Sequence, residues 1–148
     1  MLTLEKTEDL GYISSVLNTP GMGRLCNAGK KADGSTIEER IREDSHTFLM
    51  VKDSEKPVGF VSFTRIPDTE SAYIHVALYT RGAETLNAIV QAMDYAKEQM
   101  KLKDVQAIFP EWRSAVNDLA EKTGFYEEGR FRIDGYGDQF FTHQRSIL

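Results

Sequence analysis

The amino-acid sequence predicts an α/β fold: one mixed sheet of about six to seven strands, flanked by about four helices, in a single domain spanning residues 1–148. Three observations lead there. Residues 72–79 alternate apolar Ala72, Ile74, Val76 and Leu78 with Tyr73, His75 and Tyr79, the period of a strand. After the break at Thr80-Arg81-Gly82-Ala83, the apolar residues Leu86, Ile89, Val90, Met93, Ala96 and Met100 recur at helical steps. Hairpin-length connections precede this stretch, and a second strand–helix pair follows it.

In chain order, Leu2–Leu4 reads as a first strand. Thr7, followed by Glu8 and Asp9, starts a helix that buries Leu10, Ile13, Val16 and Leu17 and stops at Asn18-Thr19-Pro20. Residues 21–34 are rich in Gly, Lys and Asn and read as a loop. Its Gly21-Met22-Gly23 follows no strand and reads as a linker. Ser35-Thr36-Ile37-Glu38 is a capping box that opens a short helix through Ile41. Three antiparallel strands follow at Thr47–Val51, Val58–Arg65 and Ala72–Tyr79, and Gly59 marks a bulge or a close backbone approach. The helical crossover after Tyr79 makes the strand at Val105–Phe109 parallel to its predecessor. A helix at Ser114–Lys122 carries Val116, Leu119 and Ala120. The short stretches Phe125–Tyr126 and Arg130–Ile133, then Phe140–Ile147, complete the sheet.

Composition narrows the function. Hydrophobic residues make up 41% and charged residues 28%, as in ordinary soluble globules. A net charge of −5 argues against general nucleic-acid or membrane-surface binding, and Gly29-Lys30-Lys31 and Arg130–Arg132 read as solvated faces. The lone Cys26 excludes an intrachain disulfide and fits a reducing cytoplasm; no base neighbours it in sequence, so a nucleophile role is not expected. No apolar run reaches the length of a membrane span, and MLTLEKTEDLG lacks a signal-peptide core. His46, His75 and His143 lack metal-ligand spacing, so no metal site is expected.

The strand–turn–helix at 72–100 carries the functional lead. A helix starting at such a turn leaves its first N–H groups unpaired, and these, the helix dipole and Arg81 make a seat for phosphate or pyrophosphate. The same unit also serves simply to build α/β domains, so ordinary packing stays open beside that reading.

The element order and four segments resemble the GCN5-related N-acetyltransferase (GNAT) superfamily from about Thr47 to the C-terminus. VKDSEKPVGFVSF is similar to the family's second and third strands. LYTRGAETLNAIVQAMDYA is similar to the strand–turn–helix that holds the coenzyme A pyrophosphate. LAEKTGFYEEGRFR resembles the helix and strand around "EKxGF", and DGYGDQFFTHQRSIL the closing hairpin of members that acetylate protein N-termini and small amines. The sequence also departs from the family. Glu84 and Leu86 stand where glycines are typical of the phosphate loop, Arg113 replaces an asparagine, and Ala120 falls where a tyrosine often protonates the thiolate.

The resemblance implies a GNAT-like fold and an N-acetyltransferase that uses acetyl-CoA as co-substrate, with a primary amine of a small molecule or protein as acceptor. Arg81, Gly82, Ala83, Glu84 and Thr85 would meet the pyrophosphate, and the backbone N–H of Val76 or Ala77 the thioester carbonyl. His75 is the first candidate base, since an unperturbed imidazole has a pKa of about 6.5. A half-buried strand residue in contact with a neighbour is the alternative for it. Glu111, where the central strands should splay, is a second candidate base, beside the alternative of a solvated loop-end glutamate. Tyr126 and Tyr136 are candidate replacements for the missing acid, Tyr73 and Tyr79 candidate amine-pocket residues, and Trp112 a packing residue or pocket wall. The departures favour a second function: a GNAT-like binding or structural module without turnover, such as one carried by a phage particle. Phe140-Phe141 fits either the core or the edge of a homodimer.

Overall fold

Seven strands join in one sheet in the order β1-β2-β3-β4-β5-β7-β6, in a computed structural model that describes residues 1–19, 38 and 45–148. The strands are β1 (Leu2–Thr7), β2 (His46–Asp53), β3 (Lys56–Arg65), β4 (Ser71–Leu78), β5 (Asp104–Pro110), β6 (Tyr126–Arg132) and β7 (Phe140–Ile147). The helices are α1 (Leu10–Leu17), α2 (Ala83–Glu98) and α3 (Ser114–Lys122). The expected 21–34 loop, Cys26, Gly29-Lys30-Lys31 and the helix running to Ile41 lie outside the described residues, Glu38 excepted. No helix among the described residues is long and apolar enough to cross a membrane.

As the connection lengths require, β2, β3 and β4 are antiparallel, and β5, reached through α2, is parallel to β4. The sheet has two differently covered faces. On one, Val51, Val61, Phe63, Ile74, Val105 and Phe109 pack against α2. The buried stripe of α2 is Thr85, Ala88, Ile89, Ala92, Met93 and Ala96, a run of three- and four-residue steps. Its three alanines bring the helix axis close to the strands. Val90, expected on that stripe, is 45% exposed because its position in the turn places it on the flank. On the opposite face, Ile13, Val16 and Leu17 of α1 cover Phe48, Phe60 and Ala77.

Two boundaries differ from the sequence reading. The N-cap of α1 is Asp9, whose carboxylate accepts the Tyr12 N–H at 3.0 Å, while Thr7 ends β1 and its hydroxyl accepts the Asp9 N–H at 3.1 Å. The two stretches flanking Glu127-Glu128-Gly129 form one strand, β6. It pairs with β7 throughout by absorbing a register shift between Glu127 and Gly129.

Gly59 is both bulge and close approach. Between Val51 and Lys52 the β2–β3 register jumps, leaving Val58 unmatched. Gly59 takes φ +124°, and a Cβ there would run into the Ala77 carbonyl and the Leu78 Cα. The Tyr12 hydroxyl completes the bulge, accepting the Gly59 N–H at 2.9 Å and donating to the Gly59 carbonyl at 2.6 Å. Burial pushes that hydroxyl above the usual tyrosine range, so it stays protonated at neutral pH. Tyr12→Phe removes both of these bonds, and the expected loss is about 1–3 kcal/mol. It would be read as a lower urea midpoint at unchanged slope.

Candidate active site

The two central strands hold each other only briefly. β4 pairs with β5 through Ser71–Asp104, Ala72–Val105 and Tyr73–Gln106, and no further. Beyond those pairs β4 stays with β3 as far as Leu78, and β5 stays with β7 as far as Pro110. A wedge therefore opens between them toward the C-terminal ends of both strands.

Alternation decides which backbone groups face this wedge. The Ser71 carbonyl accepts from Ile66, and the Tyr79 N–H donates to Val58, so odd-numbered residues of β4 turn their polar groups toward β3. The Ile74 N–H closes the last rung with Gln106, and the Ile74 carbonyl and the N–H and C=O groups of Val76 and Leu78 consequently point into the wedge. On the α2 side the wedge widens into a cleft of about 380 Å³ between α2 and α3, with Val76, Ile89, Ala107, Val116 and Ala120 among its lining residues. An apolar cleft with a row of free amides and carbonyls along one wall suits a thin, extended ligand that carries amides of its own.

The start of α2 borders the open end. Gly82, the N-cap, takes φ +57° and offers no side-chain cap. The first helical hydrogen bond runs from Leu86 N–H to the Gly82 carbonyl at 3.1 Å, so the amides of Ala83, Glu84 and Thr85 precede any helical acceptor. Arg81, Gly82, Ala83 and Glu84 are exposed, while Thr85 is buried and its hydroxyl is 2.8 Å from that of Thr80. Arg81 makes no ion pair among the described residues. Glu84 sits in the first turn, where it favours the helix dipole but repels a bound phosphate.

The structure distributes the other sequence-derived candidates unevenly. His75 is half-buried on the α1 face, opposite Ser62, and borders the cleft. Val76 directs its N–H into the wedge, whereas Ala77 turns its own toward β3 and buries its methyl under α1. Glu111 is held by Arg130 through two bonds of 2.6 and 2.8 Å, and this guanidinium keeps its carboxyl below the usual range, which makes it a weak proton acceptor. Tyr126 begins β6, two strands from β5, and lies away from the cleft. Trp112 and Tyr136 each meet Phe141 edge-on, at 5.3 and 5.1 Å between centroids. Tyr79 bonds Thr19 at 2.7 Å.

Sequence reasoning overlooked two residues. Arg113, treated only as a missing asparagine, caps α3 and lines the cleft as a cation with no ion pair among the described residues. His143 lies on β7 beside Tyr73. Only the β5–β7 register brings it there, across a sequence separation that no local pattern reports.

No protein-family model and no curated protein sequence matches the chain. Solved structures do. Spermidine N-acetyltransferase from Vibrio cholerae in complex with CoA and spermine superposes with a TM-score of 0.79 at 21% identity, covering 99% of this chain and 95% of that one. The R149-K152 chimera of the Vibrio cholerae enzyme, SpeG, and hSSAT reaches 0.80 at 20% identity, covering 99% and 95%. A dodecameric form of the Vibrio cholerae enzyme reaches 0.78 at 22%, covering 99% and 93%. The chain has the fold of these N-acetyltransferases along nearly its whole length.

The Glu111–Arg130 pair gives a direct check of the site's electrostatics. Its contribution is present above the ordinary glutamate range and fades as pH falls through the lowered pKa. Arg130→Ala is expected to raise the Glu111 carboxyl back toward the range of an exposed glutamate, read by carboxyl-carbon NMR titration.

Proposed function

We propose that the protein is an acetyl-CoA-dependent N-acetyltransferase acting on a primary amine. The observation that carries this reading is the wedge, where β4 gives up its β5 partner after Tyr73 yet keeps the Ile74 carbonyl and the polar groups of Val76 and Leu78 on the vacated side. A pantetheine arm is an extended chain with two amides and little width, and it can pair with those groups as a strand would. Solved neighbours of the same fold support the choice of ligand, one of them a complex with CoA and spermine.

The chain's own residues then divide the work. Arg81 and the leading amides of α2 meet the pyrophosphate, despite the carboxylate of Glu84. The Val76 N–H donates to the thioester carbonyl, where negative charge grows as the amine attacks. His75 takes the proton that the ammonium must lose to expose its lone pair. The new C–N bond forms as the C–S bond breaks. The products are the N-acetyl amine, the CoA thiol and one proton. Ala120 offers no proton to the sulfur, which leaves as thiolate and is protonated from water. We assign the reaction to the cytoplasm, a reducing compartment that suits a free thiol product.

Calorimetric titration with acetyl-CoA tests the cofactor seat. Micromolar binding is expected, weakened about tenfold by Arg81→Ala with the fold intact. Absence of binding at millimolar ligand would overturn the reading in favour of a non-catalytic module. Two variants test the chemistry with spermine and n-butylamine as trial acceptors. Val76→Pro removes an N–H that the β3–β4 ladder does not use, so it should fold and lose about 10²-fold in kcat. His75→Gln should lose about 10²-fold, and activity within twofold of the parent would retire the assignment.

A further inference from the structure

On the α1 face of the sheet, beside the foot of the wedge, a row of polar side chains plays no part in the scheme above. Gln106 of β5 is only 7% exposed. Its Nε2 donates to the Ser71 hydroxyl at 2.9 Å, which turns its Oε1 toward His143, where it meets Nε2 at 2.7 Å. An amide oxygen can only accept, so Nε2 of His143 carries a hydrogen, and a neutral ring then leaves Nδ1 bare as an acceptor.

The register sets this ring next to the reaction zone. His143 lies opposite Ile108, whose side chain borders the cleft and is 47% exposed, and its ring centroid is 6.3 Å from that of Tyr73. Tyr73 belongs to the last β4–β5 pair, and His75 follows two residues later on the same face. The banks of the wedge thus carry one histidine on β4 and another just beyond β5. Arg145, on the same face of β7, is held by Asp104 at 2.6 Å and Glu128 at 2.7 Å, so its charge is compensated. The Tyr73 ring face adds attraction for a cation.

We infer that His143 holds the acceptor amine. Its Nδ1 accepts one N–H of the incoming ammonium, directly or through one water, while a different N–H gives up its proton. An ammonium has three N–H groups, and a second fixed acceptor turns the emerging lone pair toward the thioester. Gln106 is a positioning residue: with its Oε1 on Nε2, it holds the ring in the form that accepts at Nδ1. This inference rests on the acetyltransferase reading, and its tests separate the two.

The first test needs no acceptor. Ring-nitrogen NMR of the ¹⁵N-histidine-labelled protein should show His143 protonated at Nε2 and bare at Nδ1, and Gln106→Leu should abolish that preference. A ring protonated at Nδ1 in the parent overturns the inference, whatever the cofactor titration gives. The second test uses whichever of spermine or n-butylamine the parent acetylates. Glutamine at 143 keeps a polar group for Gln106 but removes the Nδ1 acceptor, whereas asparagine offers an oxygen near the Nδ1 position. His143→Gln should raise the KM for the amine about tenfold, with kcat within threefold and acetyl-CoA affinity unchanged. His143→Asn should recover most of the loss. An unchanged KM, or a fall confined to kcat, would overturn the assignment. A parent that binds no acetyl-CoA would instead overturn the acetyltransferase reading and the acceptor role of His143 with it, while the NMR result reports the ring form in either case.

Discussion

The structure depends on a broken hydrogen-bond row. Sheets are continuous because each backbone N–H and C=O within them needs a partner, and an unpaired buried group costs about as much as a lost hydrogen bond. Here the β4–β5 row stops after three residue pairs. The strands can part because each has a full partner on its outer side, β3 for β4 and β7 for β5. Gly59 contributes farther along, at the open end of the wedge, where it lies opposite Leu78. Its missing Cβ lets the β3 backbone approach Ala77 and Leu78, and the bulge adds local twist there. Tyr12 ties α1 to the bulge through two hydrogen bonds to Gly59.

Electrostatics at the two ends of the wedge follow from this geometry. Two helices, α2 and α3, begin at its open end, because each follows a strand that runs toward that end. Their starts bring Arg81 and Arg113 to the mouth of an otherwise acidic protein of net charge −5. There the two cations and the helix dipoles stand against the carboxylate of Glu84 in the first turn of α2, a local balance that the overall charge does not reveal. At the opposite end the strands converge. There the polar row Ser71–Gln106–His143 is joined by hydrogen bonds beside the compensated charges of Asp104, Arg145 and Glu128.

Much of this was legible in the sequence because it is local. Period-two alternation marked the strands, the Arg81-Gly82 break marked the start of α2, and Gly59 announced its bulge. Residue-level assignments at the site were less legible because they depend on strand register. Glu111 reads as an available carboxylate until β6 delivers Arg130 to it. Ala77 and Val76 are equivalent in a sequence, and only the Ser71 and Tyr79 hydrogen bonds show which of them faces the wedge. Tyr126 looks near the site from its distance along the chain after Ala120, yet the order β5-β7-β6 carries it two strands away. His143 shows the converse, being distant in sequence but beside Tyr73 in space.

The free side of β4 is an edge inside a sheet rather than at its border. Edges of this kind invite strands from other molecules, and exposed ones promote domain swapping and aggregation. Flanked by α2 and α3, this one lies along a cleft of about 380 Å³ instead of along the border of the sheet. The helices that shape the cleft therefore also stand over the unpaired backbone of β4, as a covering helix or loop does at an outer edge.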